Sequence, residues 1–169
     1  NTTVSLSGTF TDTDGSGVAS VKYQVKKAGE TIYGAEQTIA SDGEYTANVK
    51  GLAAGTNTIK VWAKDTAGNA SVAEEYTVKV DDKAPAITAD YTGVIYADSA
   101  SCPVELTVTD QGGSTIDEVT LSVGDKAPVK CTPESGKYTY DIKELLSDGT
   151  VSVTATAKDK AGNETSRVI

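Results

Sequence analysis

Apolar and polar side chains alternate with period two along most of the chain, in short runs broken by Gly, Asp, Asn and Ser. That period marks a strand with one buried face, because successive side chains of an extended backbone point to opposite sides. In the first half the inward sets are Leu6, Gly8, Phe10; Val21, Tyr23, Val25; Tyr45, Ala47, Val49; Ile59, Val61, Ala63; and Tyr76, Val78, Val80. The second half has Val104, Leu106, Val108; Val119, Leu121, Val123; Tyr138, Tyr140, Ile142; and Val151, Val153, Ala155, Ala157. Many short strands with turn residues between them predict sandwiches of antiparallel sheets.

The two halves are copies. Ala63-Lys64-Asp65-Thr66-Ala67-Gly68-Asn69 recurs as Ala157-Lys158-Asp159-Lys160-Ala161-Gly162-Asn163, 94 positions on. Gly43-Glu44-Tyr45-Thr46 likewise meets Gly136-Lys137-Tyr138-Thr139, and Phe10-Thr11-Asp12 meets Val108-Thr109-Asp110. The boundary falls at Val80-Asp81-Asp82-Lys83-Ala84-Pro85, where Pro85 restrains its own φ and biases Ala84 towards extended backbone. The expected domains are therefore 1–81 and 82–169. The second has room for an opening strand around Ile87 or Val94-Ile95-Tyr96, which the first is expected to lack. The last strand of the second is expected to be cut short, so both ends read as cut from a longer array.

Composition narrows the chemistry. The net charge is −9, a surface that repels nucleic acid and anionic lipid and attracts cations. No apolar run is long enough to span a bilayer. There is no His, which removes the commonest general base and zinc ligand. No phosphate-binding glycine loop precedes a helix, and no nucleophile motif is present. An enzyme is not expected.

The Asp-x-Ala-Gly-Asn turn (Asp65–Asn69, Asp159–Asn163), the Asp-Asp-Lys-Ala-Pro joint and Asp12-Thr13-Asp14-Gly15-Ser16-Gly17 resemble the bacterial immunoglobulin-like repeats of surface adhesins, cell-wall-anchored proteins and large secreted glycosidases. The resemblance covers nearly the whole chain. It implies an all-β fold of two tandem immunoglobulin-like β-sandwich domains, extracellular, at a bacterial surface or secreted. It also implies a non-catalytic spacer whose partners are the neighbouring domains of its own polypeptide, and calcium at the joints of some members. The other function weighed is an adhesive or carbohydrate-binding module meeting a glycan or host protein. A monomer without a required cofactor is expected.

Three features carry candidate chemistry. In a sandwich of this type the chain entry and two loops share one end, which brings Asp110, Asp159 and Asn163 of the second copy towards Asp81 and Asp82. Hard cations take several oxygen ligands, so the five are candidate calcium ligands. The competing reading is that Asp and Asn there close tight turns on their own backbone. The first copy carries the parallel set Asp12, Asp14, Asp65 and Asn69. Cys102 and Cys131 are a candidate disulfide, with two free thiols as the alternative; the first copy manages without either. Trp62 is expected to point outward between Lys60 and Lys64. There it is either a ligand contact or a lone surface aromatic shielded by lysine stems.

Overall fold

The computed structural model describes residues 3–13, 15–40, 42–89 and 100–169. Asp14 and Val94-Ile95-Tyr96 lie outside the described residues. The chain divides into two compact units, Asn1–Val80 and Asp81–Ile169.

The first unit contains β1 (Thr3–Thr9), β2 (Val18–Lys26), β3 (Gln37–Ala40), β4 (Glu44–Lys50), β5 (Gly55–Asp65) and β6 (Glu74–Val80). One sheet has the order β3-β2-β5-β6 and the other is the pair β1-β4. The second unit contains β7 (Ala86–Ala89), β8 (Pro103–Thr109), β9 (Ile116–Val123), β10 (Val129–Lys130), β11 (Thr132–Glu134), β12 (Lys137–Asp141), a 3₁₀ turn at Lys143–Leu145, β13 (Val153–Asp159) and β14 (Glu164–Val168). Its sheets run β11-β12-β8-β7 and β10-β9-β13-β14. Each named strand pairing is antiparallel, and the second unit sets its first, second, sixth and fifth strands in one sheet against the remainder, an immunoglobulin-type split with β10 as an added edge strand. The chain is all-β, built of immunoglobulin-like β-sandwiches.

Alternation puts one face of each sheet into a shared core. In the second unit Val104, Leu106 and Val108 pack with Val119, Leu121, Val123, Ala155 and Ala157. In the first, Tyr45, Ala47 and Val49 pack with Val21, Ile59, Val61 and Ala63. Each fully buried Val, Ile or Leu stabilises its unit by about 1.5–3 kcal/mol. The copies also share register: Gly8 faces Tyr45 as Leu106 faces Tyr138, and Leu6 faces Ala47 as Val104 faces Tyr140. The short strands β3, β10 and β11 carry no period-two signature and were not expected from the pattern.

One buried polar residue is peculiar to the first unit. Asn57 is fully buried, and its position in the second copy is Val151. Its Oδ1 accepts from the N–H groups of Ala28 (3.2 Å) and Ala53 (3.0 Å). Its amide nitrogen donates to the carbonyls of Ala53 (2.8 Å) and Gly55 (3.1 Å). A single side chain thus satisfies the backbone of two loops. Asn57→Ala leaves those groups unpaired, and it is expected to destabilise the first unit by about 2–3 kcal/mol. Trp62, the chain's one tryptophan, lies in that unit and reports its urea unfolding by fluorescence. An unchanged midpoint would refute this role.

Candidate functional site

The repeated turn has the same bonds in both units. Asp65 N–H donates to Asn69 O (3.0 Å), and the Asn69 N–H returns to Asp65 Oδ1 (2.7 Å). Asn69 Nδ2 donates to Asp65 Oδ2 (2.7 Å). Asp159 and Asn163 repeat this with 3.0, 2.9 and 2.9 Å. In each unit the turn also ties to the loop after the second-position strand, through Thr66 N–H to Gly17 O (3.1 Å) and Lys160 N–H to Thr115 O (3.0 Å). The loop is itself closed on an aspartate: Gly17 N–H donates to Asp12 Oδ2, and Thr115 N–H to Asp110 Oδ2. The turn reading of these acids is therefore realised in full.

The second unit adds a third carboxylate. Asp81 Oδ1 accepts from Lys83 N–H (2.9 Å) and Oδ2 from Ser114 N–H (3.1 Å), while its carbonyl accepts from Asn163 Nδ2 (3.2 Å). Backbone and carboxylate come so close that a Cβ on Gly112 would lie 1.6 Å from Asp81 Oδ1. A side chain there would push the Asp81 carboxylate aside. Asp81, Asp110 and Asp159 thereby offer carboxylate oxygens within 4.8 Å of one another, the one such group among the described residues. Asp159 is almost wholly buried, and among the described residues no Lys or Arg pairs with any of the three.

Hydrogen bonds keep two of the acids ionised. The Gly112 N–H, with those of Gly113 and Thr115, outweighs desolvation and holds the Asp110 carboxyl below the ordinary carboxylate range. Desolvation pushes Asp159 upward, but the side chain and backbone of Asn163 overcome it, and the net shift is again downward. The donor set fits a hard cation. It consists of carboxylate oxygens, and the buried Ser114 Oγ beside Asp81 has no hydrogen-bond partner.

The other expected residues are placed differently. Asp82 stays out of the cluster: adjacent residues of an extended segment face opposite ways, and it is exposed, 3.4 Å from Lys83 Nζ. Asn163 holds Asp81 and Asp159 in place, with its amide hydrogens spent on them. Cys102 and Cys131 are free, buried thiols. Cys102 O accepts from Ile142 N–H beside β12, whereas Cys131 N–H bonds to Val119 O in the opposite layer. Burial pushes the Cys131 thiol up to about 11 and that of Cys102 upward as well.

Trp62 lies opposite Lys22 on the face away from the core, as the alternation requires, but it is 8% exposed and offers no open indole. The segment after β2 folds back over this face. Gly34 N–H bonds to Val25 O (2.8 Å), and Tyr33 Oη donates to Glu75 Oε1 (2.7 Å), a bond that raises the Tyr33 pKa to about 12. Lys60 Nζ lies 4.9 Å from the Tyr33 ring centroid and 5.1 Å from that of Trp62, within cation–π range. Lys60 thus covers the indole, in keeping with the lysine-shielded reading. Sequence reasoning missed Gly112, Ser114 and Thr115, although the Asp110–Thr115 loop parallels Asp12–Gly17 and pointed there.

No family model and no curated protein sequence matches the chain. Among solved structures it is similar to the CbhA fibronectin(III)-like modules of Clostridium thermocellum, at 19% identity and a TM-score of 0.44, over 98% of this chain and 82% of that one. The fold rests on the strand order given above and not on this likeness. Among the described residues no helix is long and apolar enough to cross a membrane.

Two outcomes are expected. Thr115 is β-branched at φ 73°, where the first unit has Gly17 at φ 80°. Thr115→Gly should stabilise the second unit by about 0.5–1 kcal/mol in urea melts; a loss of stability would mean the threonine is not strained. Neither thiol should react with an aromatic disulfide reagent before unfolding. An intact mass 2 Da below the reduced value would instead reveal a bond.

Proposed function

We propose that the chain is a non-catalytic structural module, a spacer segment of an extracellular bacterial protein of the immunoglobulin-like repeat type, whose second unit takes a calcium ion on Asp81, Asp110 and Asp159. The observation that carries this reading is the convergence of those three carboxylates. They come from the segment entering the unit, the loop after β8 and the end of β13, so one cation would tie three separate stretches of chain together. Duplication of one sandwich and the lack of histidine support a structural role over a catalytic one. The burial of Trp62 favours this reading over the carbohydrate-binding alternative.

Extracellular calcium modules have dissociation constants of ~10⁻⁴–10⁻³ M. At 1 mM calcium the tight end of that range stabilises the folded unit by about 1.4 kcal/mol. For a domain of this size that is a rise of roughly 6–10 °C in melting temperature. Calorimetric melts of the full chain in EDTA, calcium and magnesium should show this rise for one transition and with calcium only. Asp81→Asn and Asp159→Asn should each abolish it. Equal effects of calcium and magnesium, or none, would mean that the three acids serve the turns alone.

A further inference from the structure

Strands β4 and β12 hold equivalent places in the two units, but their outer edges are treated differently. Gly8 faces Tyr45 as Leu106 faces Tyr138, so Glu44–Thr46 of β4 answers to Lys137–Thr139 of β12. In the second unit β11 pairs along that stretch, with Thr132, Pro133 and Glu134 set against Thr139, Tyr138 and Lys137. In the first unit only three residues, 41–43, join β3 to β4, too few to lay a strand along its edge. Among the described residues β4 pairs with β1 alone.

Which backbone groups lie open follows from the ladder. One step beyond the Thr9–Glu44 pair, Phe10 N–H donates to Gly43 O (2.8 Å). Hydrogen-bonded pairs alternate with non-bonded ones in an antiparallel ladder, so Tyr45, Ala47 and Val49 spend their N–H and C=O groups on β1. Glu44, Thr46, Asn48 and Lys50 turn theirs to the open edge, and all four residues are exposed. Neither proline nor bulge interrupts the row.

That row is complementary to itself. In a second copy set antiparallel and centred on Ala47, Glu44 faces Lys50 and Thr46 faces Asn48, and each such pair joins residues whose backbone groups are free. Opposed side chains lie about 5 Å apart, so a Glu–Lys pair forms at both ends. A slip of one residue sets free groups against spent ones, and a slip of two sets Glu44 against Asn48 or Leu52. The edge strand β6 matches itself less well: Glu75 would meet Lys79, but it already accepts from Tyr33, and Glu74 would face Val80.

We propose that the open edge of β4 is a self-association site, where a second copy of this chain adds its own β4 antiparallel about Ala47. The β1-β4 pairs of two copies then form one four-stranded sheet. Main-chain hydrogen bonds supply the affinity, and the two Glu44–Lys50 pairs fix the register. The net charge of −9 opposes the contact and keeps it weak.

The test is sedimentation equilibrium of the full chain up to millimolar concentration, with amide exchange followed by NMR on the same samples. A concentration-dependent dimer is expected, with protection gained at the amides of Glu44, Thr46, Asn48 and Lys50. Glu44→Lys and Lys50→Glu each oppose like charges at both ends of the pairing, and each should weaken dimerisation about tenfold. Trp62 fluorescence in urea checks that these variants stay folded. The double variant should regain the original dimerisation, and a mixture of the two single variants should associate more tightly than either alone. A chain monomeric at millimolar concentration, or a dimer without protection at those four amides, would overturn the proposal. So would single variants that dimerise like the original chain, or a double variant that fails to recover.

Discussion

Each unit depends on a hydrogen bond between two loops that are distant in sequence. Thr66 N–H to Gly17 O in the first unit, and Lys160 N–H to Thr115 O in the second, tie the turn after the penultimate strand to the loop that leads into β2 or β9. Both loops are already closed on an aspartate, so the bond joins two preformed pieces and costs little further chain entropy. It brings the carboxylates of these loops to one end of the unit. The acidic character of that end follows from how the sandwich closes its turns.

What separates the two ends is the entering segment. In the second unit Asp81 fits against Gly112 and accepts from Ser114, while Asn163 reaches its carbonyl. Asp159 is buried there, whereas its counterpart Asp65 stays half-buried. A pair of turn-forming acids becomes a three-carboxylate cluster by the addition of one segment.

The architecture was legible because alternation is a direct consequence of burying one face of a strand, and because the copies could be checked against each other. Asp81, Asp110 and Asp159 were legible for a related reason, since the topology fixes which loops share an end. Asp82 was not excluded because the pattern does not say which of two neighbouring acids turns inward. For Trp62 the alternation assigned the correct face, but nothing in the segment after β2, which lacks any period, announced that Lys60 would lie between the Tyr33 and Trp62 rings. Asn57 shares the inward parity of Ile59 and Val61, but it went unseen because Gly55-Thr56-Asn57-Thr58 is polar throughout and nothing in the run announces its loop partners. The cysteines were close enough in sequence to pair, and the pattern did not say that Cys102 bonds to Ile142 beside β12 and Cys131 to Val119 of β9.

Hydrogen exchange of the full chain, with and without millimolar calcium, tests whether one cation joins Asp81, Asp110 and Asp159. Amides in 81–83, 110–115 and 159–163 should exchange more slowly, with the equivalent turn at 65–69 unchanged, because among the described residues no third carboxylate joins Asp12 and Asp65. Unchanged exchange in those three stretches, or equal slowing at 65–69, would contradict it.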